Sequence, residues 1–467
     1  MTVPAALALA TKLPGSSTIA VGLALALVAV AALVAVMRRY DDALPLLAVF
    51  ALPFRVPVSA DSKTVNLLIP LYLVVAAGTV TQLLPALIAT RRARRSSEQR
   101  NAGAAPVQPW RTRAFWSSAR GLEVLLFAAI GLYAIQAIYS ADHARAAENL
   151  AFFYVPFALL FLLLRRVPWT RELLLRCLGV LVVLAVAFAG VGFIEYARKS
   201  LFLNPKVVAA NQYDNYFRVN SLFFDPNIYG RFLTLVMIAV TTVVLARRRR
   251  RDTLIGAAVL AWLLAGLVTS FSQSSIAALL LGLAVLAAWR WDVRATLYSS
   301  LALLALAGAV VLLAPTSLHF GLKGSGGSTS NATSGRTKLV SGGLELFAKR
   351  PLQGFGSGSF EREYERHSET TAANATSASH TIPVTVAAEQ GLLGLVVYFA
   401  LLLAAFAVLF RGAGRSPPQI ALAACFAALV LHTWTYADFL EDPFTWAILA
   451  LGVALARDAR PEPASSF

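Results

Sequence analysis

Ionisable residues are scarce in this sequence. Asp, Glu, Lys and Arg make up 14% of its 467 residues, against 58% hydrophobic residues. Soluble domains contain about 25% charged residues, so the composition excludes a soluble globular enzyme. Acidic residues are scarcer than basic ones, 24 against 41, and the formal net charge is +17. Because the basic residues form short clusters between apolar runs, we expect them to face lipid headgroups or lipid phosphates and not nucleic acid.

Cysteine is nearly absent. Cys177 and Cys425 are the two present, and both lie inside apolar runs without a neighbouring His or Cys. The sequence therefore predicts neither a disulfide framework nor a zinc site. Phosphate-binding loops, dinucleotide fingerprints and Gly-x-Ser-x-Gly elbows are also missing, so we expect no nucleotide, metal or other cofactor.

Long apolar runs dominate the rest of the chain. A bilayer core of about 30 Å requires about 20 mostly apolar residues per helix. By this criterion the chain is an all-α polytopic membrane protein with about 12–13 transmembrane helices. The run at 43–60 contains Pro53, Arg55 and Pro57, so we expect it to be tilted, broken or half inserted. The expected spans are 17–37, 43–60, 64–90, 120–140, 147–164, 173–194, 222–246, 253–270, 275–289, 295–314, 383–410, 418–436 and 442–456.

Basic clusters lie at alternate ends of these spans and predict their orientation. The positive-inside rule places such clusters in the cytoplasm. This leaves three stretches outside, at about 61–63, 195–221 and 315–382. The clusters are Arg38–Arg39, Arg91–Arg95, Arg165–Arg166, Arg247–Arg251, Arg290 with Arg294, Arg411 with Arg415, and Arg457.

We divide the chain into four parts. These are an N-terminal transmembrane bundle (1–194), central helices with the middle external stretch (195–314), a large external loop (315–382) and C-terminal helices (383–467). A loop of about 68 residues in a chain that otherwise has short connections is a functional candidate.

The large loop has recognisable local signals. Its opening is rich in glycine, and apolar residues at three- to four-residue spacing then predict a helix over Arg336–Arg350 that Pro351 ends. A turn-rich string with Gly354, Gly356 and Gly358 follows. The next acidic residues alternate with Arg362 and Arg366, so we expect a solvated charged face and not a metal site. These acidic residues are Glu361, Glu363, Glu365 and Glu369.

His380 is the candidate general base. It stands where the large loop re-enters the membrane, and Glu389 follows nine residues later as a supporting group. An imidazole exchanges a proton near neutral pH, as a general base must. The alternative is a histidine that caps a helix or lies at the membrane interface.

Four basic residues are candidates for binding a diphosphate. Arg218 ends the middle external stretch, and Arg231 lies one turn inside the next apolar run, where a charge is costly. Arg336 and Lys338 open the predicted loop helix, where basic side chains oppose the helix dipole unless an anion lies between them. A guanidinium can grip a phosphate at two points. The alternative for each is a cation that snorkels to lipid headgroups.

Three stretches together resemble the superfamily of O-antigen ligases and polymerases, multi-pass bacterial enzymes that handle undecaprenyl-diphosphate-linked glycans. The second is similar to the family's pattern of an arginine, an amphipathic helix and PLxGxGxGxF. The third is similar to the family's histidine-containing loop end, which is followed by an acidic residue and Gly-x-x-Gly. The stretches are FRVNSLFFDPNIYGRFL (217–233), GRTKLVSGGLELFAKRPLQGFGSGSF (335–360) and SHTIPVTVAAEQGLLGLVVYF (379–399).

The resemblance implies a metal-independent, inverting glycosyltransferase of the membrane C type (GT-C-like) in the bacterial inner membrane, with its site at the periplasmic face. His380 matches the family's catalytic histidine, and Arg218 and Arg336 match its arginines. Two positions depart from the pattern. Thr381 stands where Asn is usual, and Ser272–Ser275 replaces a common Ser-Arg, which removes one cation.

The implied donor is an undecaprenyl-diphosphate-linked glycan, and the implied acceptor distinguishes the subclasses. A ligase transfers the glycan to a lipid A core oligosaccharide, a polymerase to a growing glycan chain, and a related enzyme to protein. We favour the ligase slightly over the O-antigen or exopolysaccharide polymerase. The alternative of another class is a transporter of lipid-linked glycans or anions, but transporters usually show internal repeats and midplane charges, which this sequence lacks.

Overall fold

The computed structural model describes residues 16–60, 63–90, 118–202, 217–247, 249–291, 293–298, 330–367, 379, 381–413 and 416–458. His380 lies outside the described residues, as do most of the predicted span at 295–314, the first part of the large loop and the basic segment after residue 90. The helix around Arg336 is described, but the side chain of Arg336 is not.

The chain is an all-α polytopic membrane protein. Ten of its described helices are long and apolar enough to cross a bilayer, and Pro443–Arg457 is a shorter apolar helix. This is fewer than the 12–13 spans that the sequence predicts. The helices are α1 (Ser16–Arg39), α2 (Ala43–Ala51), α3 (Ile69–Thr90), α4 (Ala119–Ala137), α5 (His143–Leu164), α6 (Arg171–Arg198), α7 (Pro226–Ala246), α8 (Arg250–Thr269), α9 (Gln273–Arg290), α10 (Ser330–Lys349), α11 (Phe360–His367), α12 (Ile382–Ala413), α13 (Pro417–Thr435) and α14 (Pro443–Asp458).

The second predicted span is broken, which is one of the three outcomes expected for it. Helix α2 ends at Ala51 after nine residues, and the chain then forms a hairpin of β1 (Val56–Ala60) and β2 (Lys63–Leu67). Pro53 and Pro57 lack backbone N–H groups, which disfavours a continuous helix through this stretch. The run at 43–60 therefore does not cross the bilayer as one continuous helix, and the expected break is confirmed.

The connections between helices meet at one end of the bundle, which we call the loop end. It comprises 138–142, 217–225, 270–272, 351–360 and 436–442. Backbone hydrogen bonds link several of them, such as Ala141 N to Phe355 O (3.1 Å) and Val219 N to Thr269 O (3.2 Å). The opposite end is basic. There Glu123 forms ion pairs with both Arg165 and Arg457.

A break in helix α12 organises the loop end. Gly391 has φ +65°, a left-handed conformation that interrupts the helix and frees backbone groups on both sides. The PLQGFG string binds these groups, so the break near the membrane leaves them paired. Leu392 N donates to Pro351 O (2.7 Å) and Phe355 N donates to Ala388 O (3.1 Å). The glycine-rich motif and helix α12 therefore form one unit.

Gly356→Ala is expected to destabilise this unit. Gly356 has φ +96°, and an added Cβ would lie 2.3 Å from the Ser140 Cα atom, which is backbone and cannot move aside. Strain and overpacking together cost about 2 kcal/mol or more. The measurement is thermal unfolding in detergent, with Gly131→Ala as the matched control because a Cβ at Gly131 meets nothing within 4 Å. Equal melting temperatures for the two variants would contradict the account.

Candidate functional site

A partly open cavity lies at the loop end, and the empty space in and above it, open solvent included, is about 950 Å³. Helices α4, α5 and α12 and the connection 436–442 form its walls. Aromatic residues such as Tyr398 and Phe439 supply apolar surface, and Ile382, two positions after His380 in the sequence, also lines it. Its ionisable and polar lining includes Tyr133, Arg145, Asn149, Glu361, Glu389, Asp438 and Glu441.

Asn149 connects two walls of this cavity. It is 4% exposed, and its Nδ2 donates to the Tyr133 hydroxyl (2.9 Å) and to Glu441 Oε1 (3.2 Å). Its Oδ1 is buried and has no partner among the described residues. A buried amide oxygen without a donor costs about 1–3 kcal/mol, so this atom is a candidate to receive a ligand hydroxyl.

Glu441 is the titratable group of the 436–442 connection. Burial raises the pKa of its carboxyl to about 7, and the charge of Asp438 acts in the same direction, while Arg145 and Arg55 oppose it. Glu441 therefore changes its charge near neutral pH in the folded protein. Sequence motifs did not predict these residues, because Arg145 and Asn149 on α5 lie almost 300 positions before Glu441 in the chain.

We expect Glu441→Gln to change the pH dependence of stability. The folded-state pKa lies above the ordinary value, so between about pH 4.5 and 7 the folded protein retains a proton that the unfolded chain has released. The free energy of unfolding therefore falls as the pH rises through this range, by at most about 1.4 kcal/mol per pH unit. Melting temperatures measured from pH 5 to 8 should fall less steeply for the variant. Melting temperatures that fall equally steeply for the wild type and the variant would contradict the raised pKa of Glu441.

Glu389, predicted as a supporting group, is buried at the start of α12. Its Oε2 accepts a hydrogen bond from Gly358 N (2.8 Å), and its Oε1 accepts one from Phe360 N (3.1 Å). Both of its carboxylate oxygens therefore bind the end of the glycine-rich motif. This contact fixes α11 against α12, at the point where the chain turns toward the cavity.

Arg218 is half-buried at the loop end. Its Nε donates to Ser270 O (3.2 Å), and one terminal nitrogen lies 3.5 Å from Asn227 Oδ1. These contacts attach the residues before α7 to the connection between α8 and α9. Arg218 is not among the residues that line the cavity.

The segment Ser272–Ser275 forms a buried polar cluster behind Arg218. The Ser272 hydroxyl donates to Asn227 Oδ1 (2.8 Å), the same oxygen that Arg218 approaches. It also lies 2.7 Å from the Ser275 hydroxyl, which in turn lies 3.1 Å from His432 Nε2. Where the resemblance leads one to expect an arginine, this chain has a neutral network that holds Asn227 in place.

Arg231 is 2% exposed and already has acidic partners. One terminal nitrogen lies 2.8 Å from Asp442 Oδ2 and 3.7 Å from Asp438 Oδ2, and the other donates to Ala437 O (3.2 Å). The sequence predicts that Arg231 binds a diphosphate. In the structure its guanidinium pairs with Asp438 and Asp442 and thereby positions the 436–442 connection at the cavity.

The predicted helix N-terminus at Arg336 is wrong. Helix α10 begins at Ser330, so Arg336 and Lys338 lie six and eight residues after its first residue. Ser330 and Asn331 are residue types that favour helix starts. The helix dipole consequently gives these two cations no anion site. The predicted end at Arg350, before Pro351, is confirmed to within one residue, since α10 ends at Lys349, and the Lys338 side chain is exposed.

The expected solvated face of the acidic segment is wrong for Glu363. This residue is 3% exposed, because α11 packs against α10 and α12. Its Oε1 accepts a hydrogen bond from Arg366 (2.7 Å), and His367 Nδ1 lies 3.5 Å from Oε2. Glu369 lies outside the described residues.

A comparison with known protein families matches part of this chain. Residues 258–399 match the family described as O-antigen ligase. The match contains the second and third motifs, and therefore Arg336, Lys338, His380 and Glu389, but not the stretch at 217–233 with Arg218 and Arg231. A search of curated proteins finds no match. The resemblance predicted from the three motifs is confirmed at the level of the superfamily.

Proposed function

We propose, from the match of residues 258–399 to the O-antigen ligase family, that this chain is an inverting, metal-independent glycosyltransferase. The donor is a glycan on an undecaprenyl-diphosphate carrier, and the acceptor is a sugar hydroxyl of a lipid A core oligosaccharide. The reaction takes place at the periplasmic face of the inner membrane. The observation that supports this most is that the matched region contains His380 and leads directly into the helix that lines the cavity.

The proposed chemistry needs a base and a group that stabilises negative charge. A sugar hydroxyl is a poor nucleophile, so His380 accepts its proton as the hydroxyl oxygen bonds to the anomeric carbon. The bond from that carbon to the diphosphate oxygen breaks on the opposite face, which inverts the anomeric configuration. The leaving diphosphate gains charge, and Arg218 and Arg336 neutralise it.

The acceptor distinguishes the ligase from its relatives, and one experiment identifies it. Purified protein in lipid nanodiscs receives a synthetic undecaprenyl-diphosphate oligosaccharide with either lipid A core or a second lipid-linked unit. Product on the lipid A core supports the ligase, whereas a lengthened lipid-linked chain identifies a polymerase. Movement of the intact donor across liposomes without any product would contradict both and favour a transporter.

Arg218→Ala is expected to lower the rate of transfer about 10–100-fold. A charged hydrogen bond to a phosphate is worth about 1.5–3 kcal/mol, which corresponds to that range. The measurement is the initial rate of product formation in the same assay. Arg176→Ala is the matched control, because Arg176 pairs with Asp42 (3.0 Å) at the basic end and is half exposed. Equal rates for the two variants would remove Arg218 from the proposed site.

A further inference from the structure

The cavity at the loop end has a polar lining that the proposed chemistry of His380 and the arginines does not use. We propose that this cavity binds a sugar residue that carries no negative charge, through Tyr133, Asn149 and Glu441. This inference rests on the proposed function for its biological meaning, since it names the substrate group that the cavity recognises. Its test measures binding and does not require transfer.

The first argument is the hydrogen-bonding capacity of the cluster. Asn149 Nδ2 already donates to Tyr133 and Glu441, and this fixes the orientation of its amide. Its Oδ1 is consequently left as a buried acceptor without a partner among the described residues. The Tyr133 hydroxyl accepts from Asn149 and so has its own proton to donate, and Glu441 has a second carboxylate oxygen. One donor and two acceptors in close proximity match neighbouring sugar hydroxyls, each of which both donates and accepts.

The second argument is charge. The lining contains one cation, Arg145, and four carboxylates. Charges outside the cavity partly compensate both signs, since Arg145 lies 3.5 Å from Glu148 and Asp438 lies 3.7 Å from Arg231. The other three carboxylates still outnumber the one cation of the lining, so like charges disfavour a diphosphate here. The four carboxylates belong to Glu361, Glu389, Asp438 and Glu441.

The third argument is the apolar surface beside the polar cluster. Tyr398 and Phe439 both line the cavity, and their rings pack edge to face with centroids 5.5 Å apart. The Tyr133 and Tyr154 rings lie 4.4 Å apart on the other side. Pockets for small molecules combine such apolar walls with a few convergent polar groups. A pyranose has the same combination, with C–H faces and a rim of hydroxyls.

Binding is tested by saturation-transfer NMR on the full chain in nanodiscs. The probes are glucose, glucosamine and glucose 6-phosphate at equal millimolar concentrations. We expect saturation transfer to glucose and glucosamine, and a signal about fivefold weaker or less for glucose 6-phosphate. Glu441→Gln and Tyr133→Phe should each weaken glucose binding about fivefold, the effect of one lost hydrogen bond. Glu172→Gln removes an equal charge from an exposed site on α6 and should bind as the wild type does.

Glu441→Gln and Tyr133→Phe are both measured, so the test still gives an answer if one of them fails to fold. Absence of glucose and glucosamine signals from the folded wild type would overturn the proposal, as would equal binding of glucose 6-phosphate or unchanged binding by both cavity variants. Sugar binding without any transfer activity would contradict the proposed function and leave this inference standing.

A sugar in the cavity can belong to the donor or to the acceptor. A second measurement distinguishes these two sources. The affinity for undecaprenyl-diphosphate oligosaccharide is measured for wild type and Glu441→Gln. Unchanged donor affinity together with weakened glucose binding identifies the acceptor subsite. Donor affinity that falls about fivefold in parallel identifies the donor's own glycan. Both results support a sugar site.

Discussion

Replacing His380 with alanine is expected to lower the rate of glycan transfer about 10²–10⁴-fold, the usual contribution of a general base. The loss should appear in kcat, because the proposed mechanism has the imidazole accept the proton of the acceptor hydroxyl without contributing to donor affinity. The measurement is product formation from a synthetic undecaprenyl-diphosphate oligosaccharide, together with donor binding. His143→Ala is the control, because His143 is an exposed histidine at the loop end.

The dependence of the transfer rate on pH independently tests the assignment of His380 as the general base. A protonated imidazole cannot accept the proton of the acceptor hydroxyl, so the rate of transfer by the wild type should fall, with an inflection, as the pH is lowered. The residual activity of His380→Ala should lack this inflection. A variant that retains the wild-type rate would contradict the base assignment, and an inflection that persists would place it on another group.

Arg231→Leu is expected to destabilise the protein by about 3–5 kcal/mol, because it leaves the buried carboxylate of Asp442 without its cation. Asp442→Asn in the same chain should restore much of this loss by removing the uncompensated charge. The asparagine can still accept the hydrogen bond from Phe444 N (2.7 Å) that Asp442 Oδ1 accepts now, so the start of α14 keeps its cap. Denaturation of Arg231→Leu, of Asp442→Asn alone and of the double variant in detergent measures the effect.

The control for this cycle is Arg176→Leu. Arg176 pairs with Asp42 and Glu172 on the surface, and such exposed pairs contribute about 0–1 kcal/mol. If Arg231→Leu lowers the free energy of unfolding no more than Arg176→Leu does, then Arg231 does not stabilise the 436–442 connection. Its charge would in that case be available to a substrate, as the sequence predicts.

The transmembrane architecture followed from the sequence because hydropathy depends on composition alone. The spans at 173–194 and 418–436, for example, correspond to α6 and α13 within a few residues. The run at 43–60 was ambiguous, since its prolines and Arg55 permit a break without specifying where it occurs. The hairpin there depends on backbone pairing between two neighbouring strands, which hydropathy does not describe.

The candidate site was less predictable than the fold. Glu389 was found because a motif contains it, but its partners Gly358 and Phe360 are backbone groups about 30 residues away. Asn149 and Glu441 are 292 positions apart in the chain, and no local pattern connects them. Arg231 was recognised as a costly charge, but its partner Asp442 could not be identified from sequence. Pairings of this kind depend on how helices pack, and that information is not local.

The most direct test of the central claim is transfer by purified wild-type protein in the presence of EDTA. The donor is a synthetic undecaprenyl-diphosphate oligosaccharide, the acceptors are lipid A core and a second lipid-linked unit, and NMR determines the anomeric configuration of the product. The account predicts product at the same rate with and without EDTA, an inverted anomeric centre and released undecaprenyl diphosphate. A retained configuration, a reaction abolished by EDTA, or no product with any acceptor would contradict it.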